Sequence, residues 1–222
     1  MLNNKSIIFD LDDTLYYEID YLKSAYKEIA TAITKNSSGT FNEAIVYKDL
    51  WCFYTQKKDV FKELIVKYNL KNIVKDDLLK LYRNHYPSIK LSIENENILN
   101  KLKNYGYKLG LITDGRSIQQ RNKIKALNIE KYFDYILISE EFGSEKPNPA
   151  NFKYFVDLFG KGNFFYVADN VSKDFIAPNK LGWKTICLMD NGMNIHKQQF
   201  EIEKDYLPNF KIQSLKEVLK LI

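Results

Sequence analysis

Three carboxylates, Asp10, Asp12 and Asp13, fall within four positions in the stretch SIIFDLDDTLYY, residues 6–17, directly behind an apolar run. In an extended chain alternate residues face the same way, so Asp10 and Asp12, with Thr14 if the extension persists, share a side while Asp13 faces elsewhere. Two carboxylates held that close repel each other unless a cation lies between them, and oxygen ligands of this kind suit Mg²⁺. An acidic surface turn and a calcium loop are the competing readings. A calcium-binding EF-hand loop starting at Asp10 needs Gly at its sixth position and Glu at its twelfth, where this chain has Leu15 and Tyr21.

Further polar groups follow other apolar runs. LITDG, residues 111–115, places the Thr113 hydroxyl and the next backbone amides, those of Asp114 and Gly115, where they can hold a phosphate oxygen. SEEFGSEKPNP, residues 139–149, leads to Lys146, a cation between turn residues and Pro147. FFYVADNVSKD, residues 164–174, ends in Asp169 and Asn170, with Asp174 close behind. Singly each has an ordinary explanation, as a helix cap, a solvated lysine or a loop acid. Together they give acid, hydroxyl, lysine and acid, each after its own strand.

The elements that must position them read as an α/β domain with a parallel sheet, because short β-rich apolar runs alternate with amphipathic stretches. Strands are expected at 6–9, 109–113, 135–139, 164–168 and 185–188, and helices at 118–127, 150–159 and 174–181 between the last four. Asn148 can cap the middle helix and Pro149 suits its first position, whereas Pro178 kinks the last one unless it lies in the first turn. Ligands bind open parallel sheets of this kind at the carboxyl ends of the strands, where strand order reverses.

Thr113 lies 103 positions after Asp10, far more than one crossover needs, so the interval carries structure of its own. Apolar residues recur at helical spacing over 21–32, 41–54, 60–68 and 76–86, with Pro87 stopping the last, and 94–105 reads as the helix returning to the sheet, closed by Gly106. A surface turn is expected at 34–40 and a final short helix at 215–219. The expected division is a Rossmann-like core over 1–15 and 93–222 with an inserted helical module over 16–92.

Composition limits the function classes. The 222 residues are 45% hydrophobic and carry a net charge of +5 without a basic run of the kind that binds nucleic acid, which fits an anionic substrate weakly. Cys52 and Cys187 are neither paired nor near histidines at metal-ligand spacing, so zinc sites and disulfide frameworks are not expected, and buried free thiols are. No apolar run reaches the roughly 18 residues of a membrane span, and the start does not read as a signal peptide, so a reducing cytoplasm is expected. The oligomeric state is left open.

FDLDDTL, LITDG, EKPNP and YVADNVSKD, in this order and spacing, resemble the four motifs of the haloacid dehalogenase-like hydrolase superfamily, over essentially the whole chain. YFDYILISEEFGSEKPNPANF further resembles the branch of pyrimidine 5'-nucleotidases and related small-molecule phosphatases. The resemblance implies a Rossmann-like sheet with a helical cap inserted after the first motif. It implies Asp10 as nucleophile, forming an aspartyl-phosphate, and Asp12 as general acid and base. Mg²⁺ would be held by Asp10, Asp169 and the backbone carbonyl of Asp12. Thr113 and Lys146, with Asp114 and Gly115 beside them, would bind the phosphoryl group, and Asn170 and Asp174 would serve the outer metal shell or orient Lys146. Ala168 stands where the family commonly has glycine, and Asp114 where Asn is frequent.

The implied activity is hydrolysis of a small phosphomonoester, a nucleoside monophosphate or a sugar phosphate. Dehalogenation is disfavoured because family dehalogenases lack a counterpart of Asp12. A phosphomutase would use the same four motifs, and a non-catalytic binding module would be expected to have lost one of Asp10, Asp12, Lys146 and Asp169. A response-regulator receiver is about half this length and lacks the insertion. For substrate contacts the candidates are Tyr16, Tyr17, Glu18 and Tyr21, after the acidic loop, and Arg83, His85 and Tyr86, against a plain core or surface reading for each. Arg116 and Arg121 read as solvated surface, and His196 has no evident partner.

Overall fold

The computed structural model describes residues 5–36 and 40–222, so part of the turn expected at 34–40 lies outside the described residues. Along the chain run β1 (Lys5–Phe9), α1 (Glu18–Asn36), α2 (Glu43–Thr55), α3 (Val60–Lys67), α4 (Lys75–Asn84), α5 (Ile93–Asn104), β2 (Lys108–Thr113), α6 (Ser117–Ala126), β3 (Tyr135–Ile138), α7 (Ser139–Phe142), α8 (Pro149–Phe159), β4 (Asn163–Ala168), α9 (Ile176–Lys180), β5 (Lys184–Leu188) and β6 (Phe210–Ile212). The chain divides into two compact units, Met1–Ile19 with Lys90–Ile222, and Asp20–Ile89.

The first unit is built on one six-stranded sheet in the order β3-β2-β1-β4-β5-β6, with every pairing parallel. Strands covered on both faces read as continuous apolar runs, and Ile7, Ile8 and Phe9 of β1 are fully buried. From β1 the chain builds outward through β2 to β3, then returns to place β4 on the other side of β1 and continues to β6. Strand order therefore reverses at β1, and the crevice beyond the carboxyl ends of β1 and β4 is where a ligand binds in such a sheet.

Helix ends follow local chemistry. Ser92 Oγ accepts from Asn95 N at 3.1 Å to start α5, Asn148 Oδ1 accepts from Ala150 N at 2.9 Å to start α8, and Pro149 takes the first position of α8. Helix α9 begins at Ile176, later than the spacing suggested, so Pro178 falls in its first turn and kinks nothing. Gly110 in β2 marks a close approach, because a Cβ there would lie 2.3 Å from the Phe155 ring of α8.

The sequence reading did not foresee two pieces. Strand β6 is a three-residue edge whose first two side chains are exposed, so it shows no apolar run. Helix α7 is a single turn at the end of β3, closed by Gly143 at φ 79°. The expected helix at 215–219 is a 3-10 segment, Leu215–Lys220.

In the second unit, buried Ala25, Ile29 and Ile33 form one stripe of α1, and Val46, Leu50 and Phe53 one stripe of α2. Tyr26 meets Trp51 edge-on, with ring centroids 5.2 Å apart. Arg83 lies half-buried in α4, which ends ahead of Pro87. Cys52 is exposed because position 52 lies off the buried stripe of α2, so the expectation of buried thiols holds for Cys187 and is corrected for Cys52. Among the described residues no helix is long and apolar enough to cross a membrane.

Candidate active site

Asp10 is the first residue after β1, and its N–H still donates to Val167 O of β4 at 2.9 Å, so the sheet itself fixes where its carboxylate starts. Lys146, after β3 and α7, reaches Asp10 Oδ1 at 2.5 Å and Asp174 Oδ1 at 2.7 Å and is almost completely buried. Tyr166 of β4 completes the group, its hydroxyl 3.2 Å from Lys146 Nζ and donating to Asp174 Oδ1 at 3.1 Å. Asp174 accepts the Asn170 N–H through its other oxygen at 3.0 Å.

Asp169, at the end of β4, joins Asp10 and Asp174 in a buried cluster whose carboxylate oxygens lie within 4.8 Å of one another. Burial and the neighbouring charges of Asp10 and Asp174 push the Asp169 carboxyl up to about 9. Burial likewise raises Asp10 to about 7, against the pull of Lys146. Burial also works against the Lys146 ammonium, yet Asp10 and Asp174 hold its pKa well above the usual lysine value. Three buried carboxylates against one lysine leave the cluster short of positive charge, and its all-oxygen donor set fits a hard divalent cation.

Asp12 turns the other way, towards α6. Its Oδ1 accepts from Lys123 Nζ at 2.7 Å and from the Tyr16 hydroxyl, and its Oδ2 accepts from Gln120 Nε2 at 2.9 Å. Burial works against its charge, but the Lys123 ammonium and these hydrogen bonds outweigh it and hold Asp12 below the usual aspartate value. The three carboxylates that come together are therefore Asp10, Asp169 and Asp174, and the Asp12 side chain is outside that group. Asp13, at φ 55°, caps the turn, accepting from Glu18 N at 2.8 Å and Ile195 N at 2.9 Å.

Thr113, at the end of β2, accepts from Gln120 Nε2 at 2.5 Å. Asp114 accepts the Lys146 N–H at 3.1 Å and pairs with Lys173 at 2.7 Å, so a cation neutralises the extra acid noted in the second motif. Gly115 stands apart, its N–H donating to Ser139 Oγ at 2.9 Å. A polar cavity of about 140 Å³ opens among Asp10, Asp12, Thr113, Lys146 and Asp169, and Asp114, Asn170 and Asp174 also line it. Arg116 and Arg121 pair with Glu140 and Glu141 on the surface.

Four contributors, Gln120, Lys123, Lys173 and Asn194, were missed in sequence. Gln120 and Lys123 sit on an otherwise polar helix, and their one visible signal is a stripe they share with Ile124 and Leu127. Lys173 falls inside a quoted motif without announcing a partner. Asn194 donates to Asp169 Oδ2 at 2.8 Å from a loop after β5, and His196 of the same loop lines the cavity. Glu18, raised to about 7 by burial and by the charge of Asp12, lies 3.6 Å from Lys123.

A family model described as haloacid dehalogenase-like hydrolase matches residues 7–188, from β1 to the end of β5. A glyceraldehyde 3-phosphate phosphatase from Methanocaldococcus jannaschii is 30% identical over 227 residues, covering 98% of this chain and 96% of the relative. The pyrimidine 5'-nucleotidase YjjG of Escherichia coli is 30% identical over 118 residues, covering 52% of this chain and 49% of the relative. Among solved structures, the crystal structure of a HAD phosphatase from Thermococcus onnurineus superposes with a TM-score of 0.62 at 20% identity, covering 98% of this chain and 97% of that one, and supports the fold. The match spans every strand end that brings a residue to the cavity, and the chain belongs to the haloacid dehalogenase-like hydrolase family.

Proposed function

We propose that the protein is a Mg²⁺-dependent phosphatase that hydrolyses a small phosphomonoester through an aspartyl-phosphate on Asp10. The observation that carries this reading is the buried Asp10, Asp169 and Asp174 cluster with Lys146, set at the point where strand order reverses. Asp10 and Asp169, with Asp174 beside them and the backbone carbonyl of Asp12, would hold Mg²⁺, which when bound supplies the positive charge that lets an anionic carboxylate approach an anionic phosphate.

In the first step Asp10 Oδ forms a bond to phosphorus as the bond from phosphorus to the ester oxygen breaks, and the Asp12 carboxyl gives its proton to that departing oxygen. In the second step a water oxygen attacks phosphorus and the Asp12 carboxylate takes its proton. The Asp10–phosphorus bond then breaks, returning Asp10 as a carboxylate and releasing orthophosphate. Dividing the displacement this way replaces one difficult step by two easier ones. Thr113 Oγ1 and Lys146 Nζ bind the phosphoryl oxygens, and Lys146 also restrains Asp10.

A short sugar phosphate leads a nucleotide as substrate, since the glyceraldehyde 3-phosphate phosphatase matches along 98% of the chain and the nucleotidase along 52%. The test is phosphate release from a panel of triose, sugar and nucleoside monophosphates with Mg²⁺, beside an Asp10→Asn variant and an EDTA control. Turnover lost in both controls and fastest on the short sugar phosphates is the expected result. A folded, Mg²⁺-binding protein that releases phosphate from nothing in the panel overturns the reading and favours a mutase or a binding role.

A further inference from the structure

The surroundings of Asp12 are more elaborate than a surface acid requires. Gln120 and Lys123 stand three residues apart on α6, on one face of the helix, and each is only 1% exposed. The same stripe continues with Ile124 and Leu127, both buried, so two polar side chains occupy what would otherwise be core. Burying a lysine and a glutamine costs desolvation, and a buried ion pair is often no more stabilising than apolar residues of the same size. Fold stability therefore does not explain them. Their targets do: Lys123 Nζ and Gln120 Nε2 take the two different oxygens of Asp12, at 2.7 and 2.9 Å. Tyr16, on the loop that carries Asp12, adds a third donor. Gln120 also donates to Thr113 Oγ1, tying the Asp12 carboxylate to the neighbouring strand end.

We infer that Lys123 and Gln120 are positioning residues, which lock the Asp12 carboxylate in the one orientation from which it can reach both the departing ester oxygen and the attacking water. This rests on the phosphatase reading. With both oxygens held from α6, neither side-chain torsion of Asp12 is free, and a misplacement of about 1 Å at such a group costs about 100-fold in rate. The locked geometry matters as the ester P–O bond breaks, when the Asp12 proton passes to the ester oxygen and the Asp10–phosphorus bond forms. An ester whose leaving group departs as a stable anion needs no such proton.

The test uses the full chain with Mg²⁺ and compares kcat/KM on glyceraldehyde 3-phosphate, an alkyl ester, with that on 2,4-dinitrophenyl phosphate. For Lys123→Met the expected fall is about 100-fold on the alkyl ester and about threefold or less on the aryl ester. Mg²⁺ affinity by calorimetry stays unchanged, and Lys123→Arg recovers part of the loss. Lys123→Met leaves Asp12 and Glu18 buried without their cation, so Gln120→Met, a neutral exchange, is run in parallel and gives the same asymmetry at about tenfold. Equal falls on both esters, or no fall in either variant, overturn the inference alone. A wild-type protein inert towards both esters sinks the phosphatase reading and this inference together.

Discussion

Around Asp10 the acids outnumber the bases, with Asp10, Asp169 and Asp174 gathered about Lys146, whereas around Asp12 the donors from Lys123, Gln120 and Tyr16 saturate a single carboxylate. A single residue, Leu11, separates these environments along the chain. One raises its aspartate to about 7 and the other lowers its own below the usual value. The difference teaches how the halves of the site divide the work. The first is a cluster incomplete without added positive charge, fit to hold a cation and present a nucleophile. The second is complete in itself, fit to keep a proton-transferring group in place.

The largest effect is expected where the Asp10 half loses its lysine. Lys146→Met leaves Asp10 and Asp174 buried without it and costs about 3–5 kcal/mol of stability, together with turnover. Urea unfolding checks the first and phosphate release the second, and a variant as stable as wild type breaks the comparison. The next prediction sets the halves against each other. In EDTA at pH 8, Asp169→Asn removes a carboxyl that folding keeps buried only by binding a proton and raises Tm by about 5 °C, while Asp12→Asn takes from Lys123 the nearer of its two carboxylates and lowers Tm by a similar amount. Shifts of the same sign would mean that the halves do not differ as described.

The pH dependence follows from the same contrast. Asp10 and Asp169 are raised to about 7 and about 9 from 3.8, so the folded metal-free protein binds protons more tightly than the unfolded chain. Their contribution to stability is fully present below about pH 4 and is lost as pH rises through 7 towards 9. Asp12, with a lowered value, behaves oppositely: its contribution is present above the unfolded value and is lost as pH falls through the folded one. Thermal melts in EDTA should therefore show Tm falling from pH 5.5 to 8.5, and added Mg²⁺ should raise Tm more at pH 8.5. Equal increments at both pH values would remove the charge-deficit account. The smallest effect is expected at Arg116, which pairs with Glu140 where both side chains are well exposed. Arg116→Ala should leave Tm unchanged, since such pairs are screened by solvent, and so isolates burial as what separates Lys146 and Lys123 from an ordinary ion pair.

The parallel sheet was legible because β1 to β4 are apolar runs, each followed by a polar residue that reaches the site. Asp10, Thr113, Lys146 and Asp169 could be read directly from those ends. Strand β6 was not, since an edge of three residues buries only Ile212. Asp174 was given a lesser place, because nothing in its spacing shows that it folds back to within 2.7 Å of Lys146. Lys123 and Gln120 were hidden for a different reason. On a helix with little apolar contrast, lysine and glutamine read as solvent-facing, and only the third dimension puts them under a carboxylate. Asn194 and His196 reach the site from a loop after β5, where no periodicity applies.

Placing β1 in the middle of the sheet also sets a timetable for biosynthesis. Strand β1, which leads into Asp10, is made before either of its partners, Lys108–Thr113 and Asn163–Ala168. At about 5–20 residues per second, the ribosome takes roughly 10–30 s to deliver the second of them. Until then, Ile7, Ile8 and Phe9 present unpaired backbone and apolar side chains on both faces, the combination that invites pairing with other chains. The arrangement that sets Asp10 beyond an inner strand thus makes β1 wait longest, of the four strands with two neighbours, for its second partner, so aggregation risk during synthesis is concentrated at Ile7, Ile8 and Phe9.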